Sequence, residues 1–147
     1  MIRLANINDL IGVLGLYEEL RPHDPVLKPE VMKKKWAELI DDEHSHIIVA
    51  EAGRKIAATC ALGLNRSIAN GGKPFAIIEH VITGSEFRRQ GLSRQVLEYA
   101  VALAWQLGCC KVMLLSGEKL TAAHRVYESV GFKSGIEKGF VIKPDGT

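Results

Sequence analysis

The chain has 147 residues, and its 19 Lys and Arg against 17 Asp and Glu give a formal net charge of +2 at pH 7. Hydrophobic residues make up 47% and charged residues 24%, a composition that excludes a disordered or fibrous chain. The near balance of charge excludes a large nucleic-acid footprint, and no apolar run reaches the length of about 18 residues that a membrane span needs. We therefore expect one folded domain over residues 1–147, with neither a nucleic acid nor a membrane as partner.

The first third of the chain predicts a short strand and two helices. Residues 2–4 indicate the strand. Apolar residues recur at helical spacing after Asn8, with that residue or Asn6 available as the N-cap. A proline-containing loop ends this helix, and Pro29 suits the first position of a second helix that closes near residues 41–42.

The middle of the chain predicts three strands in series. The apolar residues 47–50, a turn at 52–54 and a long run over 55–64 indicate an antiparallel hairpin. A second turn at 65–73 leads into a third strand over 74–83. We expect these strands to form an antiparallel meander.

The last third returns to helical periodicity. Apolar positions over 92–107 share one face of a helix that ends at Gly108. Residues 111–115 predict a buried strand, and the strand, helix, strand series implies a right-handed crossover with parallel pairing. A further helix is predicted over about 120–130, and the tail, 132–143, has room for one or two closing strands.

Small and basic residues cluster where the third meander strand meets the following helix, in the segment 83–93. The first N–H groups of a helix are unpaired donors with partial positive charge, and Gly91 lets a ligand approach them. Arg88, Arg89 and Arg94 add full charges beside these donors. The pattern favours a phosphate or pyrophosphate site, and the alternative is a loop whose arginines are only solvated. Neither a P-loop nor a G-x-G-x-x-G sequence is present.

The cysteines indicate a reducing environment. Cys60, Cys109 and Cys110 are odd in number and two are adjacent, which excludes a disulfide framework and a tetrahedral zinc set. They are candidates for a covalent acetyl-cysteine route, but small buried hydrophobes are favoured because no histidine lies near them in sequence. The start of the chain does not resemble a secretory signal, so we expect a cytoplasmic location.

Two sequence blocks carry a resemblance to a known family. Residues 88–93, RRQGLS, match the pattern Q/R-x-x-G-x-G/A, with Ser93 where Gly or Ala is usual. Residues 123–132, AHRVYESVGF, match A-x-x-x-Y-x-x-x-G-F. In this order, on either side of an apolar strand, the blocks resemble the GNAT superfamily of acyl-CoA-dependent N-acetyltransferases over essentially the whole chain.

Two further segments narrow the resemblance. Residues 78–81, IEHV, and residues 108–115, GCCKVMLL, look most like small bacterial members related to glucosamine-phosphate N-acetyltransferases. Those relatives commonly carry IED or IEN and GCYK, so His80 and Cys110 are departures.

The resemblance implies a fold and a cofactor. The fold is a GNAT-like α/β domain of α+β type, with a mixed, mostly antiparallel sheet of about six to seven strands flanked by about four helices. The donor is acetyl-CoA, with its pyrophosphate on the turn, its pantetheine arm paired along the third meander strand, and a strand N–H facing the thioester oxygen. No metal is required. The implied cofactor-binding residues are Val81, Ile82, Thr83, Arg88, Arg89, Gln90, Gly91, Leu92, Ser93, Arg94, Ser116 and His124.

The resemblance also implies catalytic roles. Tyr127 lies at the position that the family uses to protonate the departing sulfur, and its alternative role is a core aromatic with a satisfied hydroxyl. Glu79 is the first choice for the base, acting through a water, unless it only pairs with an arginine. His80 has a side chain suited to a base, but strand alternation puts it on the opposite face from Glu79 unless the strand carries a bulge.

The acceptor is the least specified part of the reaction. Arg21, His23 and Arg66 suit a phosphate or carboxylate on the acceptor, with solvated loop charges as the alternative. We expect transfer to a primary amine of a small molecule, such as an amino-sugar phosphate or a polyamine-like compound. The alternatives are a non-catalytic acetyl-CoA-binding sensor or regulatory module, and a protein N-terminal acetyltransferase. Dimerisation is common in the relatives, so a homodimer stays open.

Overall fold

The computed structural model describes residues 1–145 and contains a five-stranded sheet in the order β1-β2-β3-β4-β5. Strands β1 to β4 pair with one another in antiparallel fashion, and β5 runs parallel to β4. This mixed, mostly antiparallel sheet confirms the predicted fold class. The strands are β1 (Ile2–Leu4), β2 (Ser45–Ala52), β3 (Lys55–Asn65), β4 (Phe75–Thr83) and β5 (Val112–Leu114).

Four longer helices and one short helical turn accompany the sheet in the described part of the chain. They are α1 (Leu10–Leu20), α2 (Pro29–Asp41), the four-residue turn α3 (Ala69–Gly72), α4 (Leu92–Gln106) and α5 (Thr121–Val130). Short 3-10 turns precede α1 at Ile7–Asp9 and follow β4 at Ser85–Phe87. Within residues 1–145, every helix is too short or too polar to cross a membrane.

The prediction of six to seven strands was wrong, because the tail contributes none over residues 132–145. Phe140, Val141 and Ile142 have the apolar pattern of a strand, but they are 85%, 70% and 96% exposed. A strand needs a partner edge and a surface that covers its side chains. In the described structure this segment pairs with no strand and its apolar side chains stay uncovered, although β5 is an edge strand with a free outer side.

The N-terminal turn shows why the first helix begins where it does. The side chain of Asn6 accepts a hydrogen bond from the N–H of Asn8 at 2.9 Å, and the carboxylate of Asp9 accepts one from the N–H of Asn6 at 2.7 Å. This reciprocal capping satisfies donors that have no partner within the helix. Asp9 also accepts two hydrogen bonds from the guanidinium of Arg3, at 2.7 and 3.0 Å.

The core lies on both faces of the sheet. Helix α4 covers one face, where Val96, Leu97 and Ala100 pack against buried residues of β2, β3 and β4. Helices α1 and α2 cover the other face, where Val13 and Trp36 pack against β2. The residues of the predicted phosphate site precede α4, and the predicted acceptor residue Arg21 follows α1.

Candidate active site

The central geometric feature is an open backbone edge on β4. Strands β4 and β5 pair over only three residues, from Ala76 opposite Val112 to Ile78 opposite Leu114. Strand β5 ends there, whereas β4 continues to Thr83 and stays paired with β3 on its other side. The β5-facing N–H and C=O groups of the last part of β4 therefore have no strand partner in the described structure. An extended ligand arm can pair with such an edge as an added strand.

A β-bulge interrupts β4 at the start of this open edge. Thr59 pairs with Ile82 and Ala61 pairs with Glu79, so His80 and Val81 together lie opposite Cys60. His80 adopts a φ of 55°, in the left-handed region that non-glycine residues rarely occupy. A bulge bends the strand and re-aims side chains, and it occurs often beside active sites.

The bulge brings Glu79 and His80 to the same face of the sheet. Their Oε2 and Nε2 atoms lie 3.7 Å apart, and the His80 ring lies 5.3 Å from the ring of Tyr17 on α1. Beyond the bulge, Val81 packs against the core on the α4 side. The strand therefore carries the bulge that was needed for Glu79 and His80 to share a face, and both candidate bases face α1.

The segment between β4 and α4, called the anion cradle below, is where the sequence predicts a phosphate site. Arg89 has a φ of 66° and Gly91, the N-cap of α4, has a φ of 74°. No side chain caps this helix, and a Cβ at Gly91 would have no heavy atom within 4 Å. The first backbone N–H groups of α4 are therefore unpaired and accessible to a ligand. The Arg88 and Arg89 side chains are exposed here, whereas Arg94 is paired with Glu98 at 2.5 Å.

The cradle segment also contains Gln90 and Leu92. A hydrogen bond between two side chains connects the first turn of α4 to the end of β4. Thr83 Oγ1 and Ser93 Oγ are 2.5 Å apart. Ser93, the departure from the usual Gly or Ala, therefore uses its hydroxyl to fix the first turn of α4 against the end of the open edge. On the α1 side, the carboxylate of Glu19 accepts a hydrogen bond from the N–H of Ser85 at 3.1 Å.

Tyr127 lies half-buried on α5, with its ring edge against Phe132 at a centroid distance of 6.4 Å. Burial raises the pKa of its phenol, while the nearby Ser116 hydroxyl acts in the opposite direction. The Ser116 Oγ atom is buried and makes no hydrogen bond of ordinary geometry, so its contact with the phenol is loose. A phenol with a raised pKa stays protonated at neutral pH, which a proton donor requires.

The remaining predicted cofactor residue, His124, is held by a loop. Its Nε2 atom lies 2.9 Å from the carbonyl oxygen of Gly117. His124 therefore braces the segment between β5 and α5, close to Ser116 in the chain. Whether this segment flanks a cofactor arm stays a prediction.

Burial makes Cys60 a poor nucleophile. Its side chain is fully buried opposite the bulge, its thiol points to the carbonyl of Val96 at 3.6 Å, and burial raises its pKa to about 12. The thiolate is the reactive form. The structure therefore supports the interpretation of Cys60 as a small core residue over a covalent acetyl-cysteine route.

The three predicted acceptor residues do not lie together. Arg21 follows α1, binds Asp24 at 2.7 Å and attracts the carboxylate of Glu79. His23 is exposed in the same loop. Arg66 lies beyond the far end of β3, where it pairs with Glu43 at 3.1 Å. Arg21 is thus on the same side of the sheet as Glu79, and Arg66 is remote from Glu79 within this chain.

Comparison with known proteins gives the family. Residues 13–132 match the model of the acetyltransferase (GNAT) family, a stretch that contains the cradle, the bulge and Tyr127. The chain belongs to the GNAT family of acetyltransferases. The predicted resemblance is therefore confirmed.

Three similar proteins show how far the likeness extends. Glucosamine 6-phosphate N-acetyltransferase 1 of Oryza sativa subsp. japonica is 30% identical over 135 residues, which cover 89% of this chain and 78% of the rice protein. This match confirms the predicted relation to glucosamine-phosphate acetyltransferases. A provisionally named acetyltransferase from Agrobacterium tumefaciens str. C58 has 35% identity and a TM-score of 0.91, covering 98% and 99% of the two chains. A transcriptional regulator from Bacillus halodurans C-125 has 26% identity and a TM-score of 0.87, covering 97% and 98%.

Sequence reasoning missed one residue that contacts the candidate site, Tyr17. Its helical spacing marks it only as part of the apolar face of α1. In the structure it meets His80, and burial raises the pKa of its phenol to about 12. The available signal was its place one helical turn before Arg21, which puts both side chains on the same face of the helix.

Proposed function

We propose that the protein transfers an acetyl group from acetyl-CoA to a primary amine of a small molecule by direct attack. One observation carries this proposal: the open edge of β4 runs from the anion cradle to the Glu79 and His80 pair. The cradle suits a pyrophosphate, the edge suits an amide-containing arm, and the pair suits proton removal from an amine. A donor with a phosphate at one end and a thioester at the other fits this arrangement.

The cradle and the edge would hold the donor through backbone groups. The N–H groups at the start of α4, supported by Arg88 and Arg89, suit the phosphate oxygens. The open edge at Val81, Ile82 and Thr83 suits the amide groups of the pantetheine arm. An N–H of this edge that faces the thioester oxygen stabilises the negative charge that develops there during attack.

Proton transfer falls to side chains on the two sides of the thioester. Glu79, directly or through a water, accepts a proton from the ammonium group, and His80 is its alternative. The amine nitrogen then forms a bond with the acetyl carbon, and the bond from that carbon to sulfur breaks. Tyr127 gives its proton to the departing sulfur, and the attacking nitrogen loses its second proton to solvent, from which Tyr127 is reprotonated. No step requires a metal.

For the acceptor, we propose a small amine, with an amino-sugar phosphate as the leading class. The relation to a glucosamine 6-phosphate acetyltransferase supports this class. Arg21 supports this class because its guanidinium lies on the Glu79 side of the sheet, where it also pairs with Asp24. The Arg66 pairing with Glu43 gives no support for a role in the same pocket.

The test is release of CoA thiol from acetyl-CoA across a panel of amines. The panel contains glucosamine 6-phosphate, glucosamine, spermidine and a peptide with a free N-terminus. We expect acceptor-dependent thiol release with the amino-sugar phosphate, and less with glucosamine. Release only with the peptide would instead support protein N-terminal acetylation.

A second function is an acetyl-CoA-binding regulatory module without catalysis. The likeness to a transcriptional regulator at 26% identity favours it. Calorimetry of acetyl-CoA binding beside the thiol assay separates the two functions. Tight binding with no acceptor-dependent thiol release across the panel would reject catalysis and support the regulatory module.

We also propose that the chain forms a homodimer in the cytoplasm. The exposed tail residues Phe140, Val141 and Ile142 support pairing with a second copy, because consecutive exposed apolar side chains mark interaction surfaces. The three free cysteines support a reducing compartment. Light scattering of the wild type against Val141→Ser tests the dimer, and cell fractionation tests the location.

A further inference from the structure

We propose that Tyr17 is a positioning residue that holds the His80 imidazole beside the Glu79 carboxylate. The catalytic part of this role rests on the proposed function, whereas the contact between the two rings does not. The ring centroids are 5.3 Å apart and the ring planes are inclined by 54°. This is the distance range of favourable aromatic pairs.

His80 needs an external support because its own backbone does not fix its side chain. Its φ of 55° lies in a region that costs energy for a residue with a Cβ. The bulge places it opposite Cys60 together with Val81, so ordinary strand alternation does not direct its ring. With its side chain 39% exposed, the imidazole has free volume on the solvent side.

Tyr17 is well placed to give that support. Its ring belongs to the cluster in which α1, α2 and β2 pack around Val13, Trp36 and Val49. Those three residues are 1%, 6% and 0% exposed, so they form a rigid base for the ring. The ring of Tyr17 thus connects a fixed part of the core to a half-exposed imidazole on a bulge.

The consequence is a defined arrangement of the two candidate bases. With the ring of Tyr17 on one side, the Nε2 atom of His80 faces Glu79 Oε2 at 3.7 Å. Without the ring, the imidazole is free to adopt other rotamers, and the carboxylate loses its neighbour. A change in the position of the imidazole, which is a candidate proton-transferring group, lowers the rate of the reaction without altering how the donor binds.

The decisive comparison is Tyr17→Leu against Tyr17→Phe, with Tyr99→Leu as the matched control. Phe keeps the ring, and Leu removes it. Tyr99 is a partly buried tyrosine that packs on the α4 side of the sheet, so its substitution removes a similar side chain far from His80. If Tyr17→Leu does not fold, Tyr17→Met replaces it, because methionine keeps apolar volume without a ring.

Two readouts are combined. Nuclear magnetic resonance of the His80 ring protons reports the ring contact directly, because a neighbouring aromatic ring shifts these resonances. Steady-state kinetics with the accepted amine report turnover and the KM for acetyl-CoA separately. We expect Tyr17→Leu to move the His80 resonances and to lower turnover about tenfold at unchanged KM for acetyl-CoA. Tyr17→Phe and Tyr99→Leu should retain the wild-type resonances and turnover.

The outcomes are distinct. Unmoved His80 resonances in Tyr17→Leu would overturn the contact, and moved resonances with wild-type turnover would overturn the positioning role. If the wild type itself releases no thiol with any amine, the proposed function fails. The resonances then still decide the contact, and the positioning role in catalysis falls with the function.

Discussion

Gly91 offers the sharpest test of the anion cradle. It occupies the N-cap of α4 with a φ of 74°, and a Cβ there would point into space free of heavy atoms within 4 Å. Gly91→Trp puts a large side chain into the path by which a phosphate reaches the helix N-terminus. Loss of about two hydrogen bonds to a charged group, at about 1.5 kcal/mol each, is about 3 kcal/mol. The dissociation constant for CoA should therefore rise about 100-fold.

A backbone control separates this effect from strain. Gly108, just beyond the other end of α4, also has a positive φ, 82°, and open space at its Cβ. Gly91→Ala and Gly108→Ala should each lower the free energy of unfolding by about 1 to 2 kcal/mol, because both place a Cβ in the left-handed region. Only substitutions at Gly91 should weaken CoA binding.

Calorimetric titration with CoA and urea unfolding measure the two quantities. Wild-type affinity in Gly91→Trp would refute the placement of the cradle. Equal weakening in Gly91→Ala and Gly108→Ala would show instead that helix strain alone controls affinity.

Three further predictions concern proton transfer and stability. Tyr127→Phe should lower turnover about 100-fold with little change in CoA affinity. Because burial raises the pKa of this phenol, the turnover of the wild type, measured against pH, should show no loss from ionisation of Tyr127 below about pH 10. Glu79→Gln should lower turnover with the accepted amine, and unchanged turnover would assign the base to His80. Asp9→Asn should lower the free energy of unfolding at pH 7 by about 2 kcal/mol, because it breaks the hydrogen bonds from Arg3. Arg3 lowers the pKa of Asp9 in the fold, so this contribution is complete above an unfolded pKa of about 4 and is lost as pH falls further. Urea unfolding at pH 7 and pH 3 measures the difference, and an equal cost at both would contradict the ion-pair argument.

The elements with strong periodicity were predictable because one local pattern decides each of them. Helix α4 follows from apolar residues on one face and Gly108 at its end, and the predicted helix over 92–107 matches the observed Leu92–Gln106 within one residue. The start of α2 at Pro29 was correct for the same reason, since proline fits the first helical position. Such signals need no knowledge of distant contacts.

The tail shows the limit of this reasoning. Phe140, Val141 and Ile142 have strand-forming side chains, and sequence alone predicted a closing strand. A strand is stable only beside a partner, and in the described structure this segment does not pair with the edge strand β5. The sequence pattern identifies what a segment prefers, whereas pairing depends on whether the surrounding fold brings the segment to an open edge.

The bulge in β4 is a second feature that the local sequence did not predict, and it affects the choice of the catalytic base. Glycine and asparagine are the residues that usually mark a positive φ, so nothing in the sequence IEHV identifies His80 as a left-handed position. A choice between Glu79 and His80 follows from regular alternation, since a flat strand presents only one of them to a given face. In the structure the strand is not regular at this point. Both side chains face α1, and their Nε2 and Oε2 atoms lie 3.7 Å apart. The two candidate bases are therefore best treated together, and a single substitution at either residue should be interpreted with the other still present.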